Sequence, residues 1–410
     1  MSDVVNENEV FKLLDAKTLN GHTSYVDAVS TFTDEKTQKV YIVSGSDDIT
    51  VKIWDAENGT LVKSINGHTD YVSTVSTFTD EKTQKVYIVS GSNDKTVKVW
   101  DVENGTLVKT LSGHTDWVTA VSTFTDEKTQ KVYIVSGSED KTVKVWDALG
   151  GTLVKTLSGH TDYVNAVSTF TDEKKKVYIV SGSEDKTVKV WDALGGTLVK
   201  TLSGQTSSVN AVSTFTDEKK RREEKEALYQ QLIPYISKNV IEHYVLPYTV
   251  NPPSTFIVSG SDDTVKVWDA ENGTLVKTLS GHTTRVTSVS TFTDEKTQKV
   301  YVVSGSNDKT VKVWDALGGT LVKTLSGHTD WVEAVSTFTD EKTQKVYVVS
   351  GSYDKTIKVW DALGGTLVKT LSGQTYYIIS VSTFTDEKTQ KVYVVSGSTD
   401  MSIKIWPISI

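Results

Sequence analysis

The chain has 410 residues, with 44 Lys and Arg against 52 Asp and Glu, a formal net charge of −8 and no cysteine. The acidic balance repels phosphate backbones and argues against a nucleic-acid partner, and the lack of cysteine excludes disulfides, thiolate chemistry and Cys-ligated zinc. The first nine residues are polar and acidic and no run approaches 18 apolar residues, so the expectation is a soluble cytoplasmic protein, a nuclear location staying open, with no membrane partner.

In chain order, residues 1–9 read as a tail and residues 10–410 as repeats. Val-Ser-Thr-Phe-Thr-Asp-Glu-Lys occurs eight times, first at Val29–Lys36 and last at Val381–Lys388, in units of 45 or 46 residues apart from one longer unit. A fixed period of that size marks units that bury their apolar faces only against neighbours. In the unit opening at Gly67, the segments Tyr71–Thr79, Lys85–Ser92, Thr96–Val102 and Gly105–Leu111 alternate apolar with polar residues and predict four short strands. Ser92-Asn93-Asp94-Lys95 is a turn-forming set between the second and third strands. Glu103-Asn104-Gly105, or Leu149-Gly150-Gly151 in sister units, supplies the positive φ of a tight hairpin. The Asn-Gly-Thr triplets at Asn58, Asn104 and Asn272 are read as these turns, not as glycosylation sites.

In the fifth unit about 36 residues, Lys220 to Thr255, replace the expected link between first and second strands and carry four of the five prolines. A run of helix formers predicts one helix over about Lys219–Leu232, ended by Pro234, and a second over about Tyr235–Leu246. Leu228, Leu232, Ile236, Val240 and Tyr244 are the candidate apolar face of this hairpin. It is too short to stand alone, so either the rim of the chain's own disc or a partner in a larger assembly must cover it. His243 has no marked second ligand beside it.

Gly-His at the start of a unit (His22, His68, His114, His160, His282, His328) and Trp-Asp at the end of its third strand (Trp54, Trp100, Trp146, Trp191, Trp268, Trp314, Trp360) resemble the WD-repeat β-propellers. The last unit has Trp406-Pro407 instead. The resemblance implies an all-β chain: a single eight-bladed propeller with a helical insertion in blade five. Asp15 to His22 matches the fourth strand and joint of later units while the last unit stops at its third strand, so the N-terminal segment is expected to close the ring. It further implies a structural hydrogen-bonded chain in each blade: His22, Ser44, Asp48 and Trp54, then His68, Ser90, Asp94 and Trp100, and so on round the ring. Six histidines on six blades cannot converge on one ion, so no metal is expected. Gln205 and Gln374 replace His in two units, which should be more weakly stapled, and Asp263 is taken as the turn residue of the fifth.

Most of the chemically serious differences between units fall at three places. Before the first-strand Val, or Ile in the last unit, stand Tyr25, Tyr71, Trp117, Tyr163, Ser208, Arg285, Trp331 and Tyr377, and one residue after it stand Asp27, Ser73, Thr119, Asn165, Asn210, Thr287, Glu333 and Ile379. Before the turn Asp come Asp47, Asn93, Glu139, Glu184, Asp262, Asn307, Tyr353 and Thr399. By the resemblance these places share the top face, where partners dock, whereas Thr-Asp-Glu-Lys-Thr-Gln-Lys on the opposite face recurs almost unchanged. Aromatics among carboxylates, with Arg285 the one assured cation, point to a protein or peptide partner presenting Lys or Arg. The alternative is a structural scaffold subunit held in a larger complex through the insertion. Near-identical repeats diversified on one face also resemble the sensor arrays of nucleotide-binding immune receptors, and a consensus-built chain would read the same way. No phosphate-cradling loop, nucleophile elbow or paired His with a carboxylate appears, so neither an enzyme nor a cofactor is expected.

Overall fold

Period-two alternation turns one face of each segment toward a neighbour, and the computed structural model, which describes residues 16–233 and 253–408, contains eight four-stranded antiparallel sheets. Blade two is representative, with strands Val72–Asp80, Lys85–Ser92, Thr96–Asp101 and Leu107–Ser112 paired in sequence order. Its register sets Ser76 opposite Val89, Val89 opposite Val99 and Val99 opposite Lys109. Gly105 closes the last hairpin at φ 69°, a left-handed value that favours glycine. Gly91 has another reason to be glycine: a Cβ there would lie 2.7 Å from Cγ1 of Val118 in the next blade.

First strands of successive blades pack side by side in chain order, and the eighth, Ile378–Asp386, returns to the first, Val26–Asp34. Closure is by the N-terminal strand: Lys17–Asn20 pairs with Ser402–Ile408, Leu19 opposite Ile403, and supplies the fourth strand of blade eight. The ring is therefore the expected eight-bladed propeller. Its core is distributed between blades. Tyr87, Val89, Val97 and Val99 of blade two pack on Val118, Val132, Ile134 and Trp146 of blade three, and this contact recurs round the ring.

The helix stands where the run of helix formers placed it, over Lys219–Leu232, and the sheet resumes at Ser254–Gly260. The predicted second helix, with Ile236, Val240, Tyr244 and His243, and the tail of residues 1–9 lie outside the described residues. Among the described residues no helix is long and apolar enough to cross a membrane.

Topology gives the ring two unlike faces. At one, which we call upper, a chain enters each first strand and leaves each second; at the other, lower, the Thr-Asp-Glu-Lys loops join first to second strands.

Candidate interaction surface

A buried indole N–H and imidazole must find partners, and each regular blade provides them. In blade one, Trp54 Nε1 donates to Ser44 Oγ at 2.9 Å, Ser44 Oγ lies 2.7 Å from His22 Nε2, and His22 Nδ1 lies 2.7 Å from Asp48 Oδ2. Blade two repeats this with Trp100, Ser90, His68 and Asp94 at 2.8, 2.8 and 2.7 Å. A neutral imidazole that donates from Nδ1 to the carboxylate and accepts the Ser hydroxyl at Nε2 satisfies every member. Burial penalises the aspartate's charge, but bonds from the His, the turn Thr and the following backbone N–H outweigh it. Asp94 and Asp140 are held well below the usual carboxylate range, and Asp185 falls to about 2. Desolvation lowers His22 and His160 below their ordinary value against the pull of Asp48 and Asp185.

Blade five departs from this chemistry, and Asp263 does not fill the expected role. Regular turns carry a residue of positive φ after the Asp, such as Lys141 at 70°, but blade five runs Ser261-Asp262-Asp263-Thr264 with that residue missing. Asp263 is left exposed, and the Thr264 hydroxyl, which in sister blades bonds the turn Asp, is buried without a partner. Gln205 Nε2 still donates to Ser259 Oγ at 2.7 Å, but its Oε1 is unpartnered. In blade eight, Gln374 accepts from Ser396 Oγ at 3.0 Å while its Nε2 is unpartnered, and the Trp406 to Ser396 bond stretches to 3.2 Å.

In seven of the eight blades two of the three variable positions meet at the upper end. The residue before the turn Asp donates its backbone N–H to the carbonyl of the residue before the first strand: Asp47 to Tyr25, Glu139 to Trp117, Glu184 to Tyr163 and Tyr353 to Trp331, at 2.8–3.0 Å. Blade five lacks this bond too, and there Asp262 is exposed. Tyr25, Tyr71, Trp117, Tyr163, Trp331 and Tyr377 are all exposed, as is Arg285. In blades seven and eight the rings join into a row. Trp331 lies 5.5 Å from Tyr353, Tyr353 stacks on Tyr377 at 4.4 Å, and Tyr376 meets Tyr377 edge-on at 6.4 Å. Tyr376 was not among the candidates; the Asp found at this position in four sister blades (Asp70, Asp116, Asp162, Asp330) was the available contrast.

The second variable position faces the neighbouring blade rather than open solvent. Ser73, Thr119 and Thr287 donate to the carbonyls of Val118, Val164 and Val332 at 2.7, 2.5 and 2.6 Å. Asn165 and Asn210 do likewise to Val209 and Val286 at 3.3 and 3.2 Å. These side chains form a belt that ties first strand to first strand from blade two to blade seven, a structural role not foreseen for them. Asp27 and Glu333 occupy the same register but are half-buried carboxylates. Burial, then the hydrogen-bonded Asp47 carboxylate, pushes Asp27 up to about 8. Burial raises Glu333 against the pull of Arg285, and burial with Asp116 and Glu184 nearby raises Glu139. Arg285 itself bonds Asn210 Oδ1 at 2.7 Å.

On the insertion, Leu228 and Leu232 are half-buried, and Tyr229, absent from the candidate face, is buried. Arg222 bonds the side chain of Gln298 in the lower loop of blade six, which sets the helix beside the lower face. Among the described residues no group of His, Cys, Asp and Glu could hold a metal ion.

Eight blades, six of them held by the full His–Asp staple, with a variable upper rim form a repeat-built interaction module. A family model for the WD40 repeat, described as WD domain, G-beta repeat, matches residues 15–55, 59–101, 105–147, 151–192, 242–269, 273–315, 319–361 and 365–407. No curated protein matches the chain. Among solved structures, a crystal structure of the computationally designed Ika8 protein (crystal packing No.1 in P63) is similar at a TM-score of 0.70 and 32% identity, over 95% of this chain and 98% of that one. The chain belongs to the WD40 repeat family, whose propellers are in general non-catalytic protein-interaction modules.

Proposed function

We propose that the chain is a recognition module whose upper face binds a protein or peptide presenting Arg or Lys. The observation that carries this reading is where the copies differ: nearly identical blades diverge at two positions that meet on the upper rim and at a third just inside it, while the lower loops stay nearly alike outside the insertion of blade five. Exposed Trp and Tyr offer rigid contact area at small entropic cost, and Asp47, Glu139, Glu184 and Asp262 among them favour a cationic partner. The scaffold alternative needs the insertion to face a partner; the Arg222 bond to Gln298 favours a helix held beside the chain's own lower face.

Selection of random peptides on the immobilised full chain, repeated with the Trp117→Ala, Trp331→Ala, Tyr377→Ala triple variant, tests the reading. These three side chains are 45%, 45% and 41% exposed, so their loss should leave folding intact. The expected result is peptides enriched in Arg or Lys whose affinity falls by about 100-fold or more in the triple variant. Peptides that bind both proteins equally would place recognition elsewhere.

A further inference from the structure

Two independent irregularities fall in the same part of the ring. The first is the break in the belt. Five consecutive blades, from two to six, put a donor at the inner register (Ser73, Thr119, Asn165, Asn210, Thr287), and each donates to the next blade's carbonyl. Blades seven, eight and one carry Glu333, Ile379 and Asp27 there instead, two carboxyl groups and a hydrocarbon. Their first strands, Val332–Asp340, Ile378–Asp386 and Val26–Asp34, are consecutive neighbours in the ring. The second irregularity is the row of rings, Trp331, Tyr353, Tyr377 and Tyr376, confined to blades seven and eight.

We propose that the upper inner rim of blades seven and eight is a subsite for one arginine side chain of the partner, its guanidinium against the Trp331–Tyr353–Tyr377 rings and its N–H groups toward Glu333. This rests on, and sharpens, the reading of the upper face as a cation-seeking surface. A guanidinium carries five donors and no acceptor, which complements a place where the carboxyl group of Glu333 stands in for the usual donor. Its flat face can extend a stacked row of rings, which a compact, strongly hydrated ammonium cannot, and Ile379 offers apolar surface for the stem. The rings already take a cation from the chain, since Lys355 Nζ lies 5.3 Å from the Tyr376 ring centroid. Arg285, whose charge already reaches Glu333, is hydrogen-bonded to Asn210 of blade five.

The chain contains its own control. Of its ten tryptophans, Trp117 and Trp331 are the exposed ones, each 45%, at the same register, but beside Trp117 the belt is intact through Thr119. We would label the full chain with 5-fluorotryptophan, assign the Trp331 resonance with Trp331→Phe, and titrate with Nα-acetyl-arginine amide, the lysine analogue and the neutral citrulline analogue. The expected result is a saturable shift of Trp331 in the millimolar range with arginine, at least about threefold weaker with lysine and absent with citrulline, while Trp117 stays still. Glu333→Gln should weaken binding about tenfold by removing a charge-assisted bond. Glu333→Thr, which copies Thr119 and Thr287 and can rejoin the belt, should abolish the shift in a folded chain. No saturable shift, equal shifts at both tryptophans, lysine matching arginine, or unchanged binding by Glu333→Thr would each overturn the proposal. If peptides are still selected on the upper face while Trp331 is silent, the wider reading stands and this subsite falls.

Discussion

Replacing Asp140 by Ala is expected to destabilise the chain by about 3 kcal/mol, whereas Asp263→Ala should change it by no more than about 0.5 kcal/mol. The two residues hold corresponding places in sequence and opposite places in energy. The Asp140 side chain, 4% exposed, lies 2.7 Å from His114 Nδ1 and accepts the backbone N–H groups of Thr115 and Thr142 and the Thr142 hydroxyl. Its loss leaves several buried donors without a partner, the costly outcome for a polar network. Asp263 is exposed and makes no staple. Guanidinium denaturation of the two variants beside the parent measures the difference as a shift in midpoint. Since the native structure holds Asp140 below its ordinary range, its contribution is present above about pH 4 and fades as pH falls through the folded-state value, so the gap between the parent and Asp140→Ala should narrow in acid. Equal losses for both variants would mean that the His–Asp bond is not what holds a blade together.

Leu19→Ala is expected to cost about 2–5 kcal/mol and to make the chain prone to association. Leu19 is 1% exposed, packed among Ile403, Ile405, Val26, Ile42 and Trp54, and sits on the strand of four residues that closes the ring. A cavity there loosens Lys17–Asn20 from Ser402–Ile408 and bares the edge of the last strand, which can then pair with another chain. Leu111→Ala, equally buried at 1% in a blade whose four strands are consecutive, removes the same side chain without opening an edge. Light scattering on heating should therefore separate the two, Leu19→Ala associating at the lower temperature; coincident curves would deny Leu19 a special role in closure.

Much of the fold was legible because its signals are local and copied. Alternation gave the strands, Asn-Gly and Gly-Gly the hairpins, the matching of Asp15 to His22 with later joints gave the closure, and helix formers without Gly or Pro gave Lys219–Leu232. The upper-rim positions were legible for a different reason, since in a chain of near-identical units any divergence stands out. What escaped depends on neighbours far away in sequence. The belt from Ser73 to Val118 or Thr287 to Val332 crosses a blade boundary, and nothing in one repeat says that its inner polar residue serves the next. Asp263 was misplaced because its turn is one residue short, and without the left-handed residue the carboxylate cannot fold back under the strand. Tyr229 escaped because its burial depends on packing that the helical pattern alone does not reveal.

The central claim, that recognition takes place on the varied rim and not on the uniform one, is tested most directly by hydrogen exchange of the intact chain with and without a selected peptide. The account predicts slowed exchange at the upper turns, around Trp331, Tyr353 and Tyr377, with the lower loops such as Asp126–Lys131 and the helix Lys219–Leu232 unchanged. Protection confined to those loops or to that helix, with the upper turns exchanging as before, would contradict it.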